Sequence, residues 1–402
     1  MLIKKIVRRT LLSLAATWGG LNQIVAHPRF SSIELAPNRK GTFFGYYDKT
    51  PFSLDDRLVL GMNRSHADGE SVKIGYFDLH EGNSFHAFGE TTTWSWQLGA
   101  RLQWVPGRES DTVCYNRLVD GEFGCVVQNI YTGMNEAEYP VPIFDLSPDQ
   151  RYAVGLNFAR LHRMRKGYGY GNLPDRTDGN ASPNDDGVVR LDLQTGRSEV
   201  LLSLAFLASF RPRPSMQGAE HYVNHLAFSP GGVRFLLLHL WRRDGKTYSR
   251  AVTCDIEGRR PYVIEEDVNL SHYSWQSDTT LLIHTSRHPN GVSFNLYQDG
   301  STGMRRIGEA VLTESGHPSY SPDRKRLVVD TYPGLTRRQS LRLFTSEGEL
   351  IEEIGRFFSP LRFTGAQKCD LHPRWDRSGS RICIDSSHHG YRAMYLIKLS
   401  EE

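Results

Sequence analysis

From about residue 40 to the C-terminus, short apolar runs rich in aromatic and β-branched residues alternate with polar turns, the signature of many short strands. One phrase recurs: an aromatic or aliphatic anchor, a turn resembling Ser-Pro-Asp, then a second apolar strand. It reads TPFSLDDRLVLG at Phe52, LQWVPGRESDTVCYN at Trp104, FDLSPDQRYAVG at Leu146 and LAFSPGGVRFLLL at Phe228. It returns as YSWQSDTTLLIH at Trp275, PSYSPDRKRLVVD at Tyr320 and PRWDRSGSRICID at Trp375. A second phrase, a strand ending in a polar turn, follows each copy: YFDLHEG at Phe77, QNIYTG at Asn129, RLDLQTG at Leu191, TCDIEG at Cys254, LYQDGS at Tyr297, LFTSEG at Phe344 and the closing YLIKLS at Tyr395.

Two phase-locked hairpins repeated seven times predict an all-β chain folded as a seven-bladed β-propeller. A β-sandwich would not keep the two phrases in step. The propeller is expected over residues 29–402. The first blade is expected to begin near Phe43 or to be completed by the segment around Phe30 to Leu35. The third repeat carries an insertion, HRMRKGYGYGNLPDRTDGNASPNDDG, residues 162–187. Its basic, aromatic start and its Gly, Asn, Asp and Pro content predict a loop over one channel mouth. Tyr168 or Tyr170 should point inward, and the flanking strands should keep their registers if residues 168–187 are deleted.

The innermost strands of a propeller line one channel, so residues at one offset from the anchors should share a ring. Three residues before each anchor stand Lys49, Arg101, Ile143, His225, His272, His317 and His372. The four consecutive histidines are the strongest chemical signal in the chain. Converging neutral imidazoles suit a divalent transition metal, zinc or manganese. Cys369, in QKCDLHP, lies close enough in sequence to join them as a ligand, and Gln367 is a further candidate. The bland alternative is a ring of blade-to-blade hydrogen bonds. Lys49 and Arg101 also favour an anion, and a metal-free carboxylate ring is the other outcome. Trp94 and Trp96 could stack on sugar faces or simply pack, and Tyr46, Tyr47 and Asp48 either line the same mouth or close the ring.

Composition narrows this picture. The formal net charge of +3 gives no general case for nucleic-acid binding. No phosphate-binding glycine loop, dinucleotide fingerprint or serine-nucleophile elbow is present. Five cysteines without a CxxC pair argue against a zinc ribbon and a dense disulfide framework, leaving room for one or two bridges. The start, MLIKKIVRRTLLSLAATWGGLNQIVAHP, reads as a signal peptide over residues 1–28, implying a periplasmic or secreted protein. Its alternative is an amphipathic helix on a cytoplasmic, membrane-associated protein. No other stretch is long and apolar enough to span a membrane.

The seven-fold repeat, the histidine ring and the GYGY insertion together resemble the β-propeller polysaccharide lyases, of the oligogalacturonate lyase and ulvan lyase types. The resemblance covers roughly residues 40 to 400 and rests on architecture and scattered residues. It implies β-elimination on a uronic-acid-containing polysaccharide or oligosaccharide, with several histidines and a glutamine on a divalent metal. It further implies Tyr168, Tyr170 and His225 as catalytic candidates, and Lys49, Gln97, Arg101 and Asn116 on the substrate. Ulvan-type lyases suggest a histidine pair in the second blade. Gln97 and Asn116 stand there instead, and neither acts as a base at neutral pH. The alternatives are a non-catalytic propeller that binds glycan or a protein partner in envelope or capsule polysaccharide handling, and a glycosidase on the same fold.

Overall fold

The computed structural model describes residues 25–26, 30–65, 69–266, 269–288 and 291–399. They form seven antiparallel sheets in a ring, the expected seven-bladed propeller. Of the segment expected to direct export, residues 1–28, only Val25–Ala26 is described, and the rest lies outside the described residues. No helix among the described residues is long and apolar enough to cross a membrane.

The first blade begins at Thr42–Phe43, the first of the two closures expected. Ser31–Glu34 is the outermost strand of the seventh blade, pairing antiparallel with Ala393–Lys398, and does not complete the first. The two ends of the chain thus lock one blade together. Val25–Ala26 adds a short fifth strand to the outer edge of the sixth. The sequence shows an apolar run before the first repeat, but not which sheet edge it meets.

The recurring anchors have a common job. The indole of Trp104 donates to the Pro51 carbonyl at 2.9 Å, that of Trp275 to Ala227 at 3.1 Å, and that of Trp375 to Ser319 at 3.0 Å. Each acceptor directly precedes the anchor of the previous blade: Phe52, Phe228 or Tyr320. One buried aromatic therefore fills the space between two blades and satisfies a backbone acceptor there. The serine of the turn also repeats its role. Ser53, Ser147 and Ser321 each donate to an aspartate two residues on, at 2.6, 2.5 and 2.6 Å. Each accepts from the amide that opens the next strand, at Leu58, Tyr152 and Arg326. Turn and strand register are fixed together.

The first blade departs from this regularity. Its inner chain pairs only at Thr42–Phe43 and again at Phe52, and between them it crosses the channel. The Phe44 and Gly45 amides donate to the Asp385 carboxylate, and the Tyr47 hydroxyl bridges the backbone N–H and C=O of Tyr273 at 2.8 Å each. Gly45 sits at φ 117°, where a Cβ would stand 2.9 Å from the Leu98–Gly99 peptide, so only glycine fits this crossing. Tyr46 and Tyr47 consequently plug the channel. On one side lies a cavity of about 650 Å³, lined by Tyr47, Lys49, Asp145, Trp275 and Arg374 among others.

The third-blade insertion runs between the strands Tyr152–Leu156 and Gly187–Asp192 and begins earlier than expected. It is not all loop: Phe158–Met164 is a helix, capped by the Asn157 side chain on the Arg160 amide at 2.9 Å. Phe158, Leu161 and Met164 bury its apolar face. The fully buried Arg160 donates to the carbonyls of His221, Thr177, Asn180 and Ala181. Arg163 bonds Asp175 at 2.9 Å and Glu220 at 2.5 Å. These bonds fasten the insertion to the fourth blade. All five cysteines are free and buried, so neither of the bridges left open above is present.

Candidate functional site

The four register histidines are buried, and they converge. The ring centroids of His272 and His317 are 4.1 Å apart, and those of His317 and His372 are 4.4 Å apart. Tyr46 stacks on His225 at 4.5 Å and meets His372 edge-on at 4.9 Å, joining the fourth histidine to the other three. The backbone does part of this aiming. His225 and His372 sit in the left-handed region, at φ 56° and 46°, and bulges interrupt the strand register at His225 and beside His272. A bulge turns a side chain away from the pleat, here toward the channel axis. The left-handed conformations cost of order 1–3 kcal/mol each, a kind of strain that clusters at functional sites.

Hydrogen bonds fix which nitrogens are free. His317 Nδ1 donates to the Asp330 carboxylate at 2.8 Å. His372 Nδ1 lies 2.5 Å from the Gly45 carbonyl, which can only accept. In the neutral form of each ring Nε2 is then the lone-pair nitrogen, and both Nε2 atoms are buried without a partner. An Asp370 carboxylate oxygen joins them: one ligand atom each from His317, Asp370 and His372 lies within 4.8 Å of the others. Two orphaned imidazole lone pairs beside a carboxylate are a donor set for a divalent metal, and Asp330 behind His317 is the outer carboxylate such ligands use. Asp370 is also 2.6 Å from the Lys368 ammonium.

His225 and His272 flank this group. His225 Nε2 is 3.2 Å from the Tyr46 hydroxyl, with Nδ1 unpartnered, and His272 Nε2 is 3.1 Å from the Tyr332 hydroxyl. Burial holds His225, His272 and His372 well below the ordinary imidazole range. Arg165 then lowers His225 further, and His317 does so for His272 and His372. These three rings are neutral at neutral pH.

The insertion covers the cluster. The helix is followed by a turn after which Gly169 lies flat against it, where a Cβ would stand 2.1 Å from the Phe158 carbonyl. The two tyrosines beside it point to opposite sides. Tyr168 turns inward, its ring 5.9 Å from His225 and its buried hydroxyl unpartnered. Tyr170 turns outward, stacked on Phe158 at 4.2 Å and accepting from Asn116 at 2.9 Å. Two cations complete the cover. Arg165 lies 3.8 Å over the Tyr168 ring, and Lys368 lies 4.7 Å over the Tyr332 ring.

The other residues named from the sequence are placed differently. Asn116 has its amide committed to Ile143 and Tyr170. Gln97 holds the Lys368 carbonyl at 2.8 Å, bracing the site from behind. Arg101 pairs with Asp48 at 2.8 Å, both buried, and Lys49 pairs with Asp145, so neither cation is free for an anion. Cys369 is buried outside the ligand group, and its burial pushes the thiol up to about 12. The Gln367 side chain is exposed. Trp94 and Trp96 pack edge-on against each other at 4.8 Å and against Phe43. Asp370, Asp330, Tyr332, Lys368 and Arg165 were not singled out from the sequence. Asp370 alone had a visible signal, because in DLH it stands two residues before His372, on the same face of an extended chain.

No protein-family model matches this sequence, and no curated protein does. Solved structures do. An oligogalacturonate lyase in complex with manganese superposes with a TM-score of 0.68 at 15% identity, covering 92% of this chain and 93% of that chain. An oligogalacturonate lyase from Vibrio parahaemolyticus gives 0.65 at 11% identity, covering 94% and 98%. In fold, this chain resembles the oligogalacturonate lyases. The fold supports many chemistries, so the residues of the mouth must carry any functional reading.

Proposed function

We propose that the capped mouth is the catalytic site of a lyase-like enzyme that cleaves an acidic, uronate-containing oligosaccharide by β-elimination. One observation carries this reading. Neutral imidazoles, orphaned metal-type donors and a cationic cover converge at one end of a propeller whose fold resembles that of oligogalacturonate lyases. β-Elimination needs a base for the proton beside the uronate carboxylate, neutralisation of that carboxylate as charge grows on it, and a proton for the departing oxygen.

This chain has a group for each task. His225 and His272, the two imidazoles outside the ligand group, are neutral and serve as bases. Each contacts a tyrosine hydroxyl, Tyr46 or Tyr332, which orients the ring. The Tyr168 hydroxyl, without an internal partner, is placed to protonate the leaving oxygen. His317, Asp370 and His372 would hold a divalent ion, zinc or manganese, which when bound supplies Lewis-acid neutralisation of the uronate carboxylate. The insertion excludes water from the cluster, strengthening each electrostatic contact inside it. The N-terminal segment would place this activity in the periplasm or outside the cell.

A second reading rests on the Lys368–Asp370 pair. Lys368 already neutralises the carboxylate of the ligand group, so the mouth is electrostatically complete as a metal-free carboxylate receptor, and the propeller then binds glycan without cleaving it. The test is ultraviolet absorbance of oligogalacturonate incubated with the protein. Elimination creates a conjugated double bond and the absorbance rises, whereas binding and hydrolysis leave it flat. Loss of the rise in His272→Ala and His317→Ala ties it to the cluster.

A further inference from the structure

Arg165 ends the helix of the insertion, and its guanidinium has no carboxylate partner among the described residues. The backbone around it is fixed: its own amide donates to Leu161, and its carbonyl accepts from Tyr168. Its side chain is half-buried and lies 3.8 Å over the Tyr168 ring, beside the mouth. The titratable groups around it are tyrosines, namely Tyr168, Tyr222, Tyr46 and Tyr332. After burial, it is the largest influence on His225.

That setting contrasts with four other cations near the ring. Arg101 is paired with Asp48, Lys49 with Asp145, Lys368 with Asp370, and Arg374 with Asp385. A half-buried cation without a counter-ion is partly desolvated, and an anion bound to it would relieve that cost. The guanidinium fork matches a carboxylate with two parallel N–H···O bonds, a geometry that an ammonium cannot copy.

We infer that Arg165 is the carboxylate-recognition residue of the mouth, binding a uronate carboxylate bidentately and setting the preference for acidic over neutral or esterified sugars. This rests on the uronate reading above and names the residue that enforces it. Tyr168 supports the fork from beneath, so the insertion carries both a reacting hydroxyl and the group that selects the substrate. Lys368 stands across the mouth. Whenever Asp370 is taken by another cation, its ammonium is released to the same anion.

The experiment is calorimetric titration of trigalacturonate and of its methyl ester into the full-length protein and into Arg165→Met and Arg165→Lys, with product absorbance followed in parallel. The expected result is a loss of about ten- to hundredfold in affinity for the acid on Arg165→Met, with the ester unchanged. Arg165→Lys should recover only part of the loss. Equal weakening of acid and ester would make Arg165 a structural cover and overturn the inference, as would unchanged affinity for the acid or no binding of the acid by the parent protein. Selective binding without any rise in absorbance would leave the inference standing and reject the lyase reading. Should Arg165→Met fail to fold, the acid-to-ester ratio of Arg165→Lys decides, and a ratio equal to the parent's rejects the inference.

Discussion

Asp330 holds His317 from two sides: its carboxylate accepts the ring Nδ1–H at 2.8 Å and the His317 backbone amide at 2.7 Å. Its second oxygen accepts the His372 amide at 3.0 Å, so one buried carboxylate orients two histidines from different blades. Asp330→Asn keeps the shape but weakens the constraint on the ring and its basicity. Affinity for zinc or manganese should fall about ten- to hundredfold, measured by competition with a chromophoric chelator. An unchanged affinity would mean that the metal, if bound, sits elsewhere.

The two tyrosines of GYGY should separate cleanly. Tyr168→Phe removes a buried hydroxyl that has no internal partner, so the melting temperature should hold or rise while elimination is lost. Tyr170→Phe removes the hydrogen bond from Asn116, costing about 1 kcal/mol, and should leave turnover intact. The reverse pattern would place Tyr170 at the chemistry.

Acid should destabilise this protein more than its net charge suggests. Burial holds His221 at about 4, below its ordinary value of 6.5, and pushes His284 and His388 down to about 3. Such imidazoles bind protons less readily folded than unfolded. Their contribution is complete above pH 6.5 and is lost as the pH falls toward the folded values. The melting temperature should therefore be level from neutral pH upward and drop steadily below about pH 6.5. A melting temperature that rises on acidification through that window would contradict the buried, neutral assignment.

Deletion of residues 168–187 should unfold the third and fourth blades or lower the melting temperature sharply. Sequence alone suggested that it would be tolerated. The deletion strips the Thr177, Asn180 and Ala181 carbonyls from Arg160, whose guanidinium is buried, and removes the Asp175 and Asp186 partners of Asn157. A buried cation left with only the His221 carbonyl of its four carbonyl acceptors costs several kcal/mol. Calorimetry of the deleted protein checks this directly.

Much of this was legible because a propeller repeats its grammar. The anchors Trp104, Trp275 and Trp375 mark blades since each does the same steric and hydrogen-bonding job, and counting back from Phe228, Trp275, Tyr320 and Trp375 located His225, His272, His317 and His372. The same counting placed Lys49 and Arg101 in the ring but could not show that Asp145 and Asp48 neutralise them, because ion pairs between blades leave no local spacing. Arg165, Tyr332 and Lys368 come from connections whose paths are set by tertiary contacts, such as Gln97 holding the Lys368 carbonyl. Cys369 follows the wrong alternation: its neighbour Asp370 shares a face with His372, and it does not.

The most direct measurement is the mass of the new non-reducing end when purified protein cuts an oligogalacturonate. β-Elimination leaves that end short of one water relative to hydrolysis, because the C4–O bond breaks with loss of the C5 proton. The parent protein should leave the dehydrated, unsaturated end, and His272→Ala and His317→Ala should not. A saturated end, or intact oligomer recovered from protein that binds it, would contradict the assignment of this mouth to β-elimination.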